Sequence, residues 1–234
     1  MRLFCFPCAG GGTGLYVPWR ARLAPQIEIC AARLPGREMR YRERPIACME
    51  QLVSELIDAM LPLLDRPYAL FGHSLGASVA YEVAKSLIEK GLALPKHLFV
   101  SARRVPHRQL ERPPIASLSD REFLEVLRGL GGTPSQVLDD CEILRAFLPS
   151  LRVDFTIADR YTGKSLEPIP IPITGLCGDA DSEANLADMA EWADYSFRSF
   201  ESKCFQGDHF YLKPQQDAVL AQIKLALSTS GSSD

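Results

Sequence analysis

The chain has 234 residues, of which 47% are hydrophobic and 24% are charged. This is close to the average of globular proteins, so collagen-like, coiled-coil and disordered classes are excluded, and the length suffices for a substantial core. The formal net charge is −3, from 26 basic and 29 acidic residues. A nucleic-acid-binding protein usually carries a global basic excess, which is missing here.

Neither a membrane span nor a secretory signal is predicted. No apolar run approaches the roughly 18 residues of a span, and the run before Gly10 is shorter than the roughly 7–15 residues of a signal core. The seven cysteines are an odd number and widely spread, which favours free thiols in a reducing cytoplasm. Cys5 and Cys8 form a C-x-x-C pattern, but no second pair or histidine cluster completes a metal site. We expect a cytoplasmic protein without metal, nucleic acid or membrane.

Strand-like apolar runs alternate with amphipathic helical stretches along most of the chain. The predicted strands are Leu3–Phe6, Glu28–Leu34, Tyr68–Phe71, Leu98–Ser101, Ile171–Cys177 and Ser199–Phe205. The predicted helices are Met49–Leu64, Leu75–Lys90, Ala184–Ala193 and Gln215–Leu227. Repeated β–α alternation predicts an α/β fold, a mostly parallel sheet with helices on both faces.

The alternation is interrupted between Pro106 and about Tyr161, where the sequence is helical and contains no convincing strand. This stretch depends on its flanks and is too short for an independent domain. We therefore expect one α/β domain over residues 1–227, with a helical cap inserted at about 106–161. The polar tail, residues 228–234, is predicted to be disordered.

A candidate nucleophile lies in Gly72-His73-Ser74-Leu75-Gly76, which matches the pattern G-x-S-x-G. A predicted strand runs directly into this motif and a predicted helix leaves it, the arrangement of a nucleophile elbow. The two glycines permit a turn that is too tight for side chains, and the turn exposes the serine hydroxyl. The less specific interpretation is a glycine-rich turn without chemistry.

A serine becomes a good nucleophile only with a base and an acid that orients the base. Three histidines follow Ser74. His97 begins a predicted strand, where a surface position is expected, and His107 precedes every candidate acid. His209 follows the last predicted strand and is our predicted base.

Two carboxylates follow the strand before that one, Asp179 and Asp181. The far end of this loop reaches more easily towards His209, so Asp181 is the preferred acid, while Asp179 suits a turn-forming role. Asp208 is adjacent to His209 in sequence and is expected to point away from it.

The oxyanion hole is predicted from two backbone N–H groups. One belongs to Leu75, the residue after the nucleophile, and the other to the loop after the first strand. In that loop Ala9 is the first choice and Gly10 the second. A dinucleotide-binding motif fails because Leu15 stands where the third glycine is required, and no Gly-Lys-Ser/Thr completes a P-loop.

The sequence resembles the type II thioesterases that accompany polyketide and nonribosomal peptide synthetases. The resemblance covers nearly all of residues 2–215 and is carried by five spaced motifs: Phe6-Pro7-Cys8-Ala9-Gly10-Gly11, Leu34-Pro35-Gly36-Arg37-Glu38, Gly72-His73-Ser74-Leu75-Gly76-Ala77, Leu148-Pro149-Ser150-Leu151-Arg152-Val153-Asp154 and Gly207-Asp208-His209-Phe210.

This resemblance implies an α/β-hydrolase fold with a helical lid and a catalytic triad of Ser74, Asp181 and His209. The sequence departs from the family pattern at Ser182-Glu183-Ala184-Asn185, where the family more often has an apolar residue. This departure weakens the assignment of Asp181 as the acid relative to Asp179. The resemblance also implies a monomeric, cofactor-free enzyme that hydrolyses acyl thioesters on the phosphopantetheine arm of acyl or peptidyl carrier proteins, so removing aberrant acyl groups. The alternatives are a medium-chain fatty acyl thioesterase, a general carboxylesterase and a non-catalytic module of the same fold.

Two arginine clusters could attract an acidic carrier protein or its phosphodiester. One comprises Arg33, Arg37, Arg40, Arg42 and Arg44, and the other Arg103, Arg104, Arg108 and Arg112. An ordinary solvated face is the equally weighted interpretation, because Glu38, Glu43 and Glu111 lie nearby in sequence.

Overall fold

The computed structural model describes residues 1–108, 113–133, 135–163 and 166–229. Six strands form one sheet: β1 (Arg2–Phe6), β2 (Glu28–Ala31), β3 (Tyr68–His73), β4 (Leu98–Ser101), β5 (Ile173–Gly178) and β6 (Phe200–Phe205). Their order is β2-β1-β3-β4-β5-β6, and every neighbouring pair is parallel. The carboxyl ends of all six strands therefore meet at one edge of the sheet.

The helices within the described ranges are α1 (Val17–Leu23), α2 (Met49–Met60), α3 (Leu75–Glu89), α4 (Asp120–Leu130), α5 (Ser135–Asp139), α6 (Cys141–Arg160), α7 (Leu186–Ala190) and α8 (Gln216–Thr229). Buried residues of α2, α3 and α7 pack on one face of the sheet, and those of α1 and α8 pack on the other. The central strands β1, β3, β4 and β5 are buried throughout for this reason. Among these helices none has both the length and the apolarity needed to cross a bilayer.

Helices α4, α5 and α6 lie in sequence between β4 and β5, where the sequence predicts a helical cap. They share a separate apolar cluster made of Ile115, Phe123, Leu127, Leu138, Leu151 and Phe155. Local chemistry fixes the ends of α4, because Ser119 and Glu122 form a capping box and Gly131 ends the helix at φ +71°. The division into one domain with an inserted cap stays a prediction.

The boundaries of several elements differ from the predicted ones. Strand β2 ends at Ala31 rather than Leu34, since its partner β1 ends at Phe6 and supplies no further ladder. Helix α1 was not predicted, although proline is well tolerated in the first turn of a helix. Helix α8 continues to Thr229, so Ser228 is helical rather than part of a disordered tail. The remainder of that tail, 230–234, lies outside the described residues.

The surface position expected for His97 is wrong. The residue is buried at the start of β4, and its Nε2 lies 2.7 Å from Thr174 Oγ1 on β5. Strand β5 covers His97, although in the sequence this residue lies at the start of a predicted strand. Burial lowers the pKa of His97 to about 4.

We expect a His97→Gln variant to lose less stability in acid than the wild type. Histidine in an unfolded chain titrates near ~6.5, so between that value and about 4 the unfolded chain binds a proton that the folded protein does not. The contribution of neutral His97 to the free energy of unfolding is therefore complete above the higher value and lost as the pH falls through the lower one. The difference between the two pKa values of His97, in the unfolded and the folded chain, corresponds to about 3 kcal/mol in the free energy of unfolding. Urea unfolding near pH 7 and near pH 4.5 measures it; equal acid losses in both proteins would refute the assignment.

Candidate active site

Ser74 lies between β3 and α3 in a strained backbone conformation, with φ 55° and ψ −120°. A side chain at either neighbouring glycine would collide with backbone. A Cβ at Gly72 would lie 2.0 Å from the carbonyl oxygen of Gly76, and one at Gly76 would lie 2.1 Å from that of Phe6. The glycines of the motif are thus required by close backbone packing, and the strand–turn–helix geometry is that of a nucleophile elbow.

His209 and Asp181 form a buried pair at the carboxyl ends of β6 and β5. The His209 Nδ1 atom lies 3.0 Å from each Asp181 carboxylate oxygen, and both residues are 6% exposed. Asp181 Oδ1 also accepts the backbone N–H groups of Glu183 at 2.8 Å and Ala184 at 3.3 Å. These two donors hold the carboxylate in place. The carboxylate can thereby fix one tautomer of the imidazole and stabilise its cation.

The other two aspartates near this pair have different partners. Asp179 is exposed and its Oδ1 accepts the N–H of Gly207 at 2.8 Å, which ties the loop after β5 to the loop after β6. Asp208 accepts the N–H of Phe210 at 2.8 Å. The alternative base His107 lies 2.8 Å from the hydroxyl of Tyr195 through its Nδ1. The structure thus brings Asp181, and not Asp179, next to His209.

A second buried histidine, which the sequence reasoning did not single out, lies beneath His209. The rings of His73 and His209 have centroids 5.3 Å apart, and His73 Nδ1 lies 2.9 Å from Ser101 Oγ. Burial holds the pKa of His73 well below its ordinary range, and the nearby His209 lowers it further. His73 is therefore neutral at physiological pH, and it adds no second positive charge beside a protonated His209.

The loop after β1 offers few free backbone donors. Gly10 donates its N–H to Asp154 Oδ2 at 2.7 Å, and Gly11 donates to the carbonyl of Cys8 at 2.9 Å. The second-choice donor, Gly10, is thus already engaged. Leu75, the first residue of α3, has no intrahelical acceptor for its N–H. Ala9 lines one cavity of about 40 Å³ together with Ser74 and His209.

A larger apolar cavity of about 270 Å³ adjoins this small one and shares Cys8, Ala9 and Phe210 with it. Helices α4, α5 and α6 supply most of its wall, through Leu127, Leu130, Val137, Phe147, Leu151 and Phe155. Burial raises the pKa of the Cys8 thiol to about 11, so this thiol stays protonated. Another cavity, of about 750 Å³, lies against the edge strand β2 and includes neither Ser74 nor His209.

Most of the described arginines in the two clusters are paired within the protein. Arg37 is buried against Asp154 and is no part of a docking surface. Arg33 pairs with Glu38, Arg40 with Glu43, Arg104 with Asp188 and Arg108 with Glu191. Arg42 and Arg44 are exposed, and Arg112 lies outside the described residues.

A family model described as the thioesterase domain matches residues 1–227. The chain is 39% identical over 230 residues to linear gramicidin dehydrogenase LgrE of Brevibacillus parabrevis, covering 97% of this chain and 88% of the relative. RedJ, a thioesterase from the prodiginine pathway of Streptomyces coelicolor, superposes with a TM-score of 0.90 at 38% identity, covering 96% of this chain and 85% of RedJ. BorB, the type II thioesterase of the borrelidin cluster, gives a TM-score of 0.88 at 36% identity, covering 97% and 92%.

The chain therefore belongs to the thioesterase family. Its α/β-hydrolase fold and its resemblance to the type II thioesterases, both predicted from the sequence, are confirmed, and the protein is a thioester hydrolase.

Proposed function

We propose that this protein hydrolyses acyl thioesters on the phosphopantetheine arm of carrier proteins, with Ser74 as nucleophile, His209 as base and Asp181 as orienting acid. The observation that carries the proposal is the arrangement of the three side chains. His209 and Ser74 line one cavity. The Nδ1 atom of His209 lies 3.0 Å from the Asp181 carboxylate. A buried carboxylate, an imidazole and a half-buried serine at the elbow are the components of acyl transfer.

In the proposed reaction Ser74 Oγ attacks the thioester carbonyl while His209 Nε2 takes the hydroxyl proton. The N–H groups of Ala9 and Leu75 stabilise the resulting oxyanion, each worth about 3 kcal/mol in comparable sites. The carbon–sulfur bond breaks, and the thiolate leaves with the proton from His209. Water then attacks the acyl-serine through the same base, and the free acid departs. Protein groups and water carry every step, so the mechanism calls for no cofactor.

The apolar cavity of about 270 Å³ beside Ser74 suits the acyl chain of such a substrate. Its position under the cap would shield the ester from bulk water, and its walls would hold the chain without hydrogen bonds. The thioester sulfur would then face the small cavity of about 20 Å³ that Arg103, Arg104 and Arg108 line next to Ser74.

The biological role that we propose is editing, the removal of aberrant or stalled acyl groups from a polyketide or nonribosomal peptide assembly line. The partner would be an acyl or peptidyl carrier protein that docks transiently on a cytoplasmic monomer. Carrier proteins are acidic, so the exposed Arg42 and Arg44 would favour the encounter. These assignments are supported by the family of the chain and by the names of its relatives.

The proposal is tested with one acyl group presented in two ways. The purified protein is incubated with a carrier protein bearing that group as a thioester, and separately with a small oxoester of the same acid. We expect the carrier thioester to be hydrolysed with the higher kcat/KM, measured by the release of free acid. Carrier substrates of increasing chain length and branching then define the acyl preference. Fast oxoester turnover with an inert carrier thioester would identify a general carboxylesterase and refute the proposal.

A further inference from the structure

A buried ion pair joins the cap to the loop after β2. The Arg37 guanidinium binds the Asp154 carboxylate through both terminal nitrogens, with Nη1 2.7 Å from Oδ2 and Nη2 2.8 Å from Oδ1. Arg37 is 7% exposed and Asp154 is 3% exposed. Asp154 lies on α6, so the pair connects parts of the chain that are distant in sequence. Two parallel hydrogen bonds from a fork donor fix orientation as well as distance.

The same two side chains also hold the loop after β1. Asp154 Oδ2 accepts the N–H of Gly10 at 2.7 Å, and Arg37 Nη1 donates to the carbonyl oxygen of Gly11 at 3.0 Å. The ion pair therefore restrains two consecutive residues of the loop directly after Ala9. Asp154 accepts the N–H of Gly10 and Arg37 donates to the carbonyl oxygen of Gly11, so the peptide units on both sides of these residues cannot rotate freely.

Packing against α6 restrains this loop a second time. Gly10 has φ +69°, and a Cβ there would lie 2.4 Å from Leu151 Cδ1 and 2.9 Å from Phe147 Cζ. Phe147 and Leu151 both belong to α6 and line the apolar cavity. The backbone of the loop thus lies directly against the helix that would contact an acyl chain.

We propose that Arg37 and Asp154 are positioning residues for the oxyanion hole. By taking up the polar groups of Gly10 and Gly11, they orient the peptide between Cys8 and Ala9 so that the N–H of Ala9 is the donor presented to the oxyanion. This inference rests on the proposed function, because it presumes an oxyanion formed at Ser74. Neither residue touches the substrate.

The opposite charges of Arg37 and Asp154 also suit a position next to the oxyanion hole. A buried carboxylate next to Gly10 would by itself oppose the negative charge that develops on the substrate oxygen. Arg37 neutralises that carboxylate at hydrogen-bonding distance, so the loop gains the anchoring bond without a net negative charge. Lysine could supply the charge but not the forked geometry, since it carries a single nitrogen.

The ion pair also links the oxyanion loop to the acyl cavity, because α6 carries Asp154 one turn from Leu151 and next to Phe155. Three residues that line the acyl cavity, Phe147, Leu151 and Phe155, belong to the same helix as the residue that anchors the oxyanion loop. A substrate that packs against α6 therefore meets an oxyanion hole whose position is set by the same element.

The test uses Asp154→Asn, Arg37→Lys and the uncharged double variant Arg37→Met/Asp154→Leu. The matched control is Arg66→Met, an exposed arginine paired with Asp65 before β3, at the opposite edge of the sheet. The acyl thioester of N-acetylcysteamine gives kcat and KM. A trifluoromethyl ketone of the same chain, which forms a tetrahedral oxyanion adduct with the serine, gives the affinity for the oxyanion. The corresponding amide, which forms no adduct, reports ground-state binding.

We expect kcat to fall about 10-fold to 100-fold in all three variants, with KM changed less than about twofold. The affinity for the trifluoromethyl ketone falls in parallel with kcat/KM, while the amide binds as before. Hydrogen exchange of the amides at residues 8–11 becomes faster, and Arg66→Met behaves as wild type.

A purely structural role predicts a different pattern. A folded variant that keeps wild-type kcat and ketone affinity overturns the inference, and so does a loss that appears in KM and amide binding alone. If the double variant fails to fold, Arg37→Lys, which retains the charge, decides by the same criteria. If the wild type itself hydrolyses no thioester, the proposed function fails, and the exchange rates at residues 8–11 still decide whether the pair anchors the loop.

Discussion

The Ser74→Ala variant is expected to lose about 10⁶-fold in kcat towards an acyl thioester, because the remaining groups contain no nucleophile that can form the acyl intermediate. The residual rate comes from binding and from the oxyanion donors, which alanine leaves in place. Alanine has the same backbone preferences as serine at φ 55°, so the free energy of unfolding should change by less than about 1 kcal/mol. Single-turnover release of free acid measures the first quantity and urea unfolding the second.

Ser86→Ala provides the matched control, since Ser86 lies on the same helix and outside the cavities next to Ser74. It should retain wild-type turnover. A Ser74→Ala protein that is folded and hydrolyses the thioester at the wild-type rate would eliminate the serine mechanism. An inhibitor that modifies the Ser74 hydroxyl covalently in the wild type should leave the Ser74→Ala variant unmodified.

The Asp181→Asn variant is expected to lose about 10⁴-fold in kcat. The Oδ1 atom of the carboxylate already accepts the N–H groups of Glu183 and Ala184. An asparagine oxygen would keep these bonds, so its NH₂ group would face His209 Nδ1. That contact makes Nδ1 the acceptor and puts the ring proton on Nε2, where the base can no longer receive the serine proton. The loss thus reflects the wrong tautomer in an intact fold.

Asp179→Asn is the companion variant, and its expected effect on kcat is small. The Asp179 side chain accepts the N–H of Gly207, and an asparagine oxygen can do the same. The ratio of the two kcat values distinguishes the candidate acids without any assumption about the absolute rate. A larger loss in Asp179→Asn than in Asp181→Asn would reassign the acid.

The features that could be predicted from sequence are those encoded within a few residues. The elbow at Ser74 is such a case, since strand, glycines and helix are contiguous, and the steric reason for Gly72 and Gly76 follows from the turn itself. The position of His209 follows from the order of strands, because a residue after the last strand of a parallel sheet must lie at its carboxyl edge. The α/β fold and the helices between β4 and β5 followed from periodicity for the same local reason.

Features that depend on contacts between distant segments could not be predicted. Nothing near Arg37 in sequence indicates that its partner is Asp154, which lies 117 residues further along the chain. The burial of His97 is set by Thr174 on a neighbouring strand. The hydrogen bond from the N–H of Gly10 to Asp154 is likewise set by another element, α6. In each case the deciding partner lies far away along the chain.

The sheet order has a consequence for how the enzyme loses activity. Strand β6 borders only β5 among the described strands and is largely exposed, yet the chain that leaves it carries His209. Edge strands with solvent-exposed ladders open at a lower free energy than the buried centre of a sheet. Heat or denaturant should therefore displace His209 while β1, β3 and β4 are still paired. Inactivation would then precede the loss of helical circular dichroism, which makes thioester turnover an early indicator of damage to the fold.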